Sequence, residues 1–148
     1  MPLYRETGET RGAGPATVAL GHLLAARGEY RRASELLEQT RSKLRNARSG
    51  ELTGGQRVEQ LMVLALTENL LGQIELSKGH LDRAARHFTD GLRAARSASD
   101  RFSILVSLYD LALSSQAQGR LAEAEALLEE GLSLATDTGG LAAEARAR

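Results

Sequence analysis

The 148-residue sequence predicts an all-α fold, an α-α superhelix of about three helical hairpins followed by a short C-terminal helix. Three observations carry this expectation. Of 62 apolar residues, 26 are Leu and 23 Ala, against only 6 Val and Ile together. β-Branched and aromatic residues suit pleated sheets, whereas Leu, Ala, Arg and Glu favour helices. The second observation is a repeat: Gly28-x-Tyr30-x-x-Ala33-x-x-x-Leu37, Gly79-x-Leu81-x-x-Ala84-x-x-x-Phe88 and Gly119-x-Leu121-x-x-Ala124-x-x-x-Leu128 share one pattern. The third is the small residue seven positions before each Gly, namely Gly21, Gly72 and Ala112, each directly preceded by Leu20, Leu71 or Leu111.

Each repeated position has a physical role. Gly28, Gly79 and Gly119 stand where one helix stops and the chain reverses, because Gly enters the left-handed conformation without a Cβ penalty. Gly21, Gly72 and Ala112 let a partner helix approach closely, and Ala33, Ala84 and Ala124 do the same from the opposite side. Tyr30, Leu81 and Leu121, with Leu37, Phe88 and Leu128, fill the space around each crossing.

Taken in order, residues 1–14 read as a flexible leader and residues 15–148 as one domain. Helices are expected at about 16–27, 30–47, 56–78, 81–97, 100–118 and 121–136, with a short one from about 140. The hairpins then occupy about 15–48, 56–97 and 100–136. Thr53-Gly54-Gly55-Gln56 fits a capping box opening the third helix, and Ser99 or Asp100 can cap the fifth. Thr138-Gly139-Gly140 marks a break before the last helix.

The combination of Leu-Gly or Leu-Ala pairs with the Gly-x-[Tyr/Leu]-x-x-Ala segments resembles the tetratricopeptide repeat, over about residues 16–138. The departures are specific. Gly-to-Gly spacings of 51 and 40 exceed the repeat of about 34 residues in a standard array. The family's aromatic four residues before the small position is replaced by Thr17, Glu68 and Leu108, and its closing Pro is absent. Long, Pro-free repeats of this kind resemble those in bacterial transcription regulators.

The resemblance implies that the first helix of each hairpin lines a concave, partner-binding groove. Carried onto this chain, its candidates are Val18 and His22, then Leu66, Asn69 and Gln73, then Val106, Tyr109, Leu113 and Gln116. Apolar and amide groups in this mixture suit an extended peptide or an amphipathic helix, with Tyr109 as the leading anchor. Leu66, Leu70 and Gln73 place no cation beside Asn69, so no clamp for a peptide C-terminal carboxylate is expected. For any single position, the simpler reading is an ordinary solvated or half-buried site.

Nineteen Lys and Arg balance nineteen Asp and Glu, so no net charge draws the chain to nucleic acid or anionic lipid. The charge is nonetheless uneven: residues 1–48 sum to +4, 49–100 to −1 and 101–148 to −3. Arg41, Arg45 and Arg48 are read as complements to the dipole of the second helix, and His80 and His87 as exposed. The absence of Cys excludes disulfides, iron–sulfur clusters and cysteine nucleophiles, and no His pair has helical metal-site spacing. There is no P-loop or nucleophile elbow, and Asp82, Asp90 and Asp110 are scattered. The longest apolar run, 61–66, is far below the ~20 residues of a membrane span.

The sequence therefore reads as a non-enzymatic, cytoplasmic module for a protein or peptide partner, with no cofactor, metal or membrane. A narrower version makes it the sensing part of a bacterial transcription regulator. The alternatives are a small-ligand or signalling-peptide sensor and, less favoured, a nucleic-acid-binding helical repeat. Self-association through uncapped ends remains open.

Overall fold

The computed structural model describes residues 2–46 and 52–147, with side chains over 14–46 and 52–137. Six helices follow one another: α1 Pro2–Ala26, α2 Tyr30–Asn46, α3 Gly54–Ser77, α4 Leu81–Ala98, α5 Arg101–Ala117 and α6 Leu121–Ala147. No strand occurs among the described residues. The pairs α1–α2, α3–α4 and α5–α6 form three antiparallel hairpins, and the first helices α1, α3 and α5 pack side by side. The second helices approach one another through long side chains, such as Arg45 to Asp90 and Arg96 to Glu130. The first helices thus touch along the stack, while the second helices are bridged by long side chains.

Local signals account for the boundaries. Gly28, Gly79 and Gly119 each adopt φ near +80°, at 81°, 81° and 77°, and reverse the chain where the repeat placed the turns. Thr53 and Gln56 close a reciprocal capping box on α3. Asp100 caps α5 through the Ser103 amide at 2.9 Å, while Ser99 ends α4 in a left-handed conformation. Two boundaries differ from expectation. α1 begins at Pro2, so residues 2–14 extend a helix instead of forming a leader; Pro2 lies in the first turn, where the missing N–H has no helical acceptor to lose. α6 runs through Thr138-Gly139-Gly140, merging the expected terminal helix into the sixth. A helical Gly costs about 1 kcal/mol relative to Ala, and no Pro follows to forbid continuation.

The crossings explain the small residues. A Cβ on Gly21 would lie 2.7 Å from a Leu37 methyl, and one on Gly72 would lie 2.5 Å from the Phe88 ring. Leu37 and Phe88 are fully buried in the hairpins they close, with Ala33 and Ala84 buried on the same helices, and Ala112 and Ala124 are buried in the third hairpin. One core joins α1, α2 and α3 through Val18, Leu24, Leu37, Val63, Leu71 and Ile74. A second, built of smaller groups, joins α3 and α4 through Ala65, Ala94 and Ala95, with partly buried Ile104 of α5 packed against it.

The third hairpin departs from the expected filling. Leu121 and Leu128 were expected to fill its crossing, yet they are 65% and 48% exposed. In the second hairpin, Phe88 and Leu92 are buried, and α4 packs against both α3 and α5. No described helix covers the corresponding face of α6.

Candidate functional site

On the α1, α3, α5 side, helical spacing sorts the side chains into rows. On α5, Phe102, Val106, Tyr109, Leu113 and Gln116 follow one another at intervals of three or four, and Tyr109 is 56% exposed. On α3, Leu66 and Gln73 lie two turns apart on the open side. His22 is exposed on α1. These side chains form a mixed apolar and amide surface, open to solvent along two or three adjacent helices.

Two of the expected groove residues do not belong to it. Asn69 is buried, donating from Nδ2 to the Ser107 hydroxyl at 3.1 Å across the α3–α5 seam, with Oδ1 against the backbone of Gly91 on α4. Val18 is buried in the first core. The reason is neighbour geometry: Asn69 has both α4 and α5 packed against it, whereas Tyr109, forty residues on, has no further first helix beside it among the described residues.

The seam itself is polar and narrow. Ser103, Ser107, Ser114 and Ser115 are all buried on α5, and Ser107 meets α3 through Asn69. At its groove edge, exposed Gln73 donates from Nε2 to Asp110 Oδ2 at 3.3 Å. Asp110 is itself only 6% exposed. Burial raises its carboxyl from 3.8 to about 6, and the Gln73 bond offsets only part of that effect. No cation pairs with Asp110 among the described residues.

A second buried carboxylate is fully partnered. Glu68 on α3 has no exposed side-chain surface, and Oε1 accepts from Arg45 Nη2 at 3.1 Å with Arg41 Nη1 at 3.8 Å. Its Oε2 meets His87 Nδ1 at 2.8 Å, and Arg45 also reaches Asp90 at 3.3 Å. The cluster ties α2, α3 and α4 together. Arg41 and Arg45 therefore turn towards a neighbouring hairpin rather than serving chiefly as dipole complements, and Arg48 lies outside the described residues. His87 is largely buried and not exposed as expected, whereas His80 is about half exposed.

Neither carboxylate stood out in the sequence as a site. Glu68 occupies the position where an aromatic is usual, and that substitution was the available signal. Asp110 is framed by Leu108 and Leu111, a polar residue set in an apolar stretch.

Among the described residues, no three His, Asp or Glu side chains are grouped to hold a metal, and no helix is long and apolar enough to cross a membrane. An open depression of about 640 Å³ lies between the turns of the second and third hairpins, lined by His80, Asp82, Arg83, Arg86, Gln118 and Arg120. It is at the turn end of the stack, separate from the row running from Leu66 to Leu113.

The tetratricopeptide repeat family model matches residues 104–138, the greater part of the third hairpin. That segment is similar to a tetratricopeptide-type repeat. The first two hairpins carry the same Gly turn, the same buried Ala and the same small crossing residue as the matched one. No match was found among curated proteins or solved structures. Tetratricopeptide repeats build protein–protein interaction scaffolds and are typically non-catalytic.

Proposed function

We propose that the protein binds an extended peptide or an amphipathic partner helix along the α3–α5 side of its stack. The observation that carries this reading is the row Tyr109, Leu113 and Leu66, apolar side chains 56%, 38% and 41% exposed. Solvated apolar groups beside Gln73 and Gln116 offer both desolvation energy and amide hydrogen bonds to a peptide backbone. Gln73, Tyr109, Leu113 and Gln116 form the principal surface, with His22 extending it along α1. Asn69 supports that surface from below.

A pull-down from native lysate tests the reading, comparing wild type with a Tyr109→Ala, Leu113→Ala double variant. A partner held by the wild type and lost by the folded variant supports the groove. Equal capture by both places the interface elsewhere and overturns the assignment.

A narrower reading makes the module the sensing or scaffolding part of a bacterial transcription regulator. Its support is the resemblance of the long, Pro-free repeats. Identification of a DNA-binding or ATPase protein as the Tyr109-dependent partner would support it, and a partner of unrelated activity would count against it.

A further inference from the structure

The Asp110 carboxylate is a feature that the groove reading leaves unused. A buried carboxylate without a cation carries a desolvation cost that natural structures usually offset with an ion pair. Glu68, in the same stack, is offset by Arg41, Arg45 and His87. Among the described residues, Asp110 has Gln73 alone. Its helical neighbours on α5, Val106, Ser107, Leu113 and Ser114, include no cation. The groove-edge residues of α3, Leu66, Leu70, Gln73 and Ser77, include none either.

The position of the carboxylate is equally specific. It hydrogen-bonds to an exposed amide at the edge of the seam, so the path from Asp110 to solvent passes through the proposed groove. Half-exposed Leu113 stands one turn away on the same helix, and Tyr109 is its immediate neighbour in sequence. A positive group entering here would meet a carboxylate, an amide oxygen and apolar side chains able to cover its hydrocarbon stem.

We propose that the α3–α5 seam is a cation subsite, in which Asp110 takes the guanidinium or ammonium of an Arg or Lys in the bound peptide while Gln73 orients the carboxylate. This rests on the groove reading and narrows it: the partner segment carries one basic residue flanked by apolar residues that reach Tyr109, Leu113 and Leu66. Charge complementarity decides the occupant, since an acidic segment would set like charges together at the seam.

The test uses a phage-displayed library of random 12-residue peptides selected on the whole protein. Recovered peptides are synthesised and their affinities measured for wild type, Asp110→Asn and the Tyr109→Ala, Leu113→Ala variant. Circular dichroism and thermal melting verify that each variant is folded. The expected result is one recurrent Arg or Lys between apolar positions. Asp110→Asn, or citrulline in place of that Arg, should each weaken binding about tenfold or more, while the two together weaken it no further than either alone. Peptides that need Tyr109 and Leu113 but show no basic position, and that bind Asp110→Asn equally, overturn the cation subsite and leave the groove standing. Recovery of no peptides, or of peptides indifferent to the double variant, overturns both.

Discussion

Replacing Glu68 by Gln keeps the shape of a fully buried side chain and removes only its charge. Two effects then oppose each other. Loss of charge weakens the contacts from Arg45 at 3.1 Å, His87 at 2.8 Å and Arg41 at 3.8 Å. It also removes the cost of burying a carboxylate. A hydrogen bond to a charged group contributes about 1.5–3 kcal/mol, against about 0.5–1.5 for a neutral one, so two close contacts lose roughly 1 kcal/mol each. The arginines are partly solvated, Arg45 at 48% and Arg41 at 24% exposure, so the long Arg41 contact adds little. They also leave the carboxylate neutralised from two sides. Attraction therefore wins, and Glu68→Gln should destabilise the fold by about 2 kcal/mol.

For a chain of this length that corresponds to a melting temperature lower by about 4–8 °C. Urea unfolding at pH 7 should show the midpoint falling with the slope unchanged. Since the carboxylate is buried, raising salt from 0.1 to 0.5 M should alter the difference little. A Glu68→Gln protein as stable as wild type, or more stable, would mean that desolvation outweighs the three partners, and the reasoning would fail.

Gly72→Ala should cost about 1–3 kcal/mol, because the new methyl meets a rigid, fully buried Phe88 ring at 2.5 Å; a denaturation midpoint equal to wild type would show that the α3–α4 crossing can yield. Asp110 provides a pH test. Its folded value of about 6 lies above the ordinary 3.8, so the ionised form penalises the fold above pH 6 and the penalty disappears as pH falls towards 4. Solvent access at the groove edge reduces the penalty to about 1–2 kcal/mol. Asp110→Asn should therefore be the more stable protein at pH 7 and lose that advantage by pH 4, as read from paired urea titrations; a difference independent of pH would contradict the burial account. Tyr109→Ala should leave stability within about 0.5 kcal/mol of wild type, since more than half of the ring is solvated, and a larger loss in thermal melts would place it in the core rather than in a groove.

Much of the architecture is legible in the sequence by itself. Gly28, Gly79 and Gly119 mark turns because left-handed backbone is nearly a Gly property, and a rule about one residue's dihedral angle can be read from one residue. Thr53 with Gln56 is legible as a cap for a similar reason, donor and acceptor lying three positions apart, and the cap of α5 is narrowed to Ser99 or Asp100, of which the structure uses Asp100. Gly21 and Gly72 are readable as helix crossings because the repeat supplies the partners Leu37 and Phe88 at a constant offset.

What only the tertiary structure decided depends on neighbours far along the chain. Asn69 and Tyr109 occupy equivalent repeat positions, yet one is sealed beneath α4 and α5 while the other stands open, because the number of helices stacked against a position is not encoded at that position. Glu68 becomes a tie between hairpins only when α2 brings Arg41 and Arg45 across from more than twenty residues away. Asp110 is buried with an amide and, among the described residues, no cation, because α3 packs beside it and offers Gln73. Local backbone chemistry set the helices and turns; the long-range packing of one hairpin on the next determined which polar groups are covered, which are paired, and which face a partner.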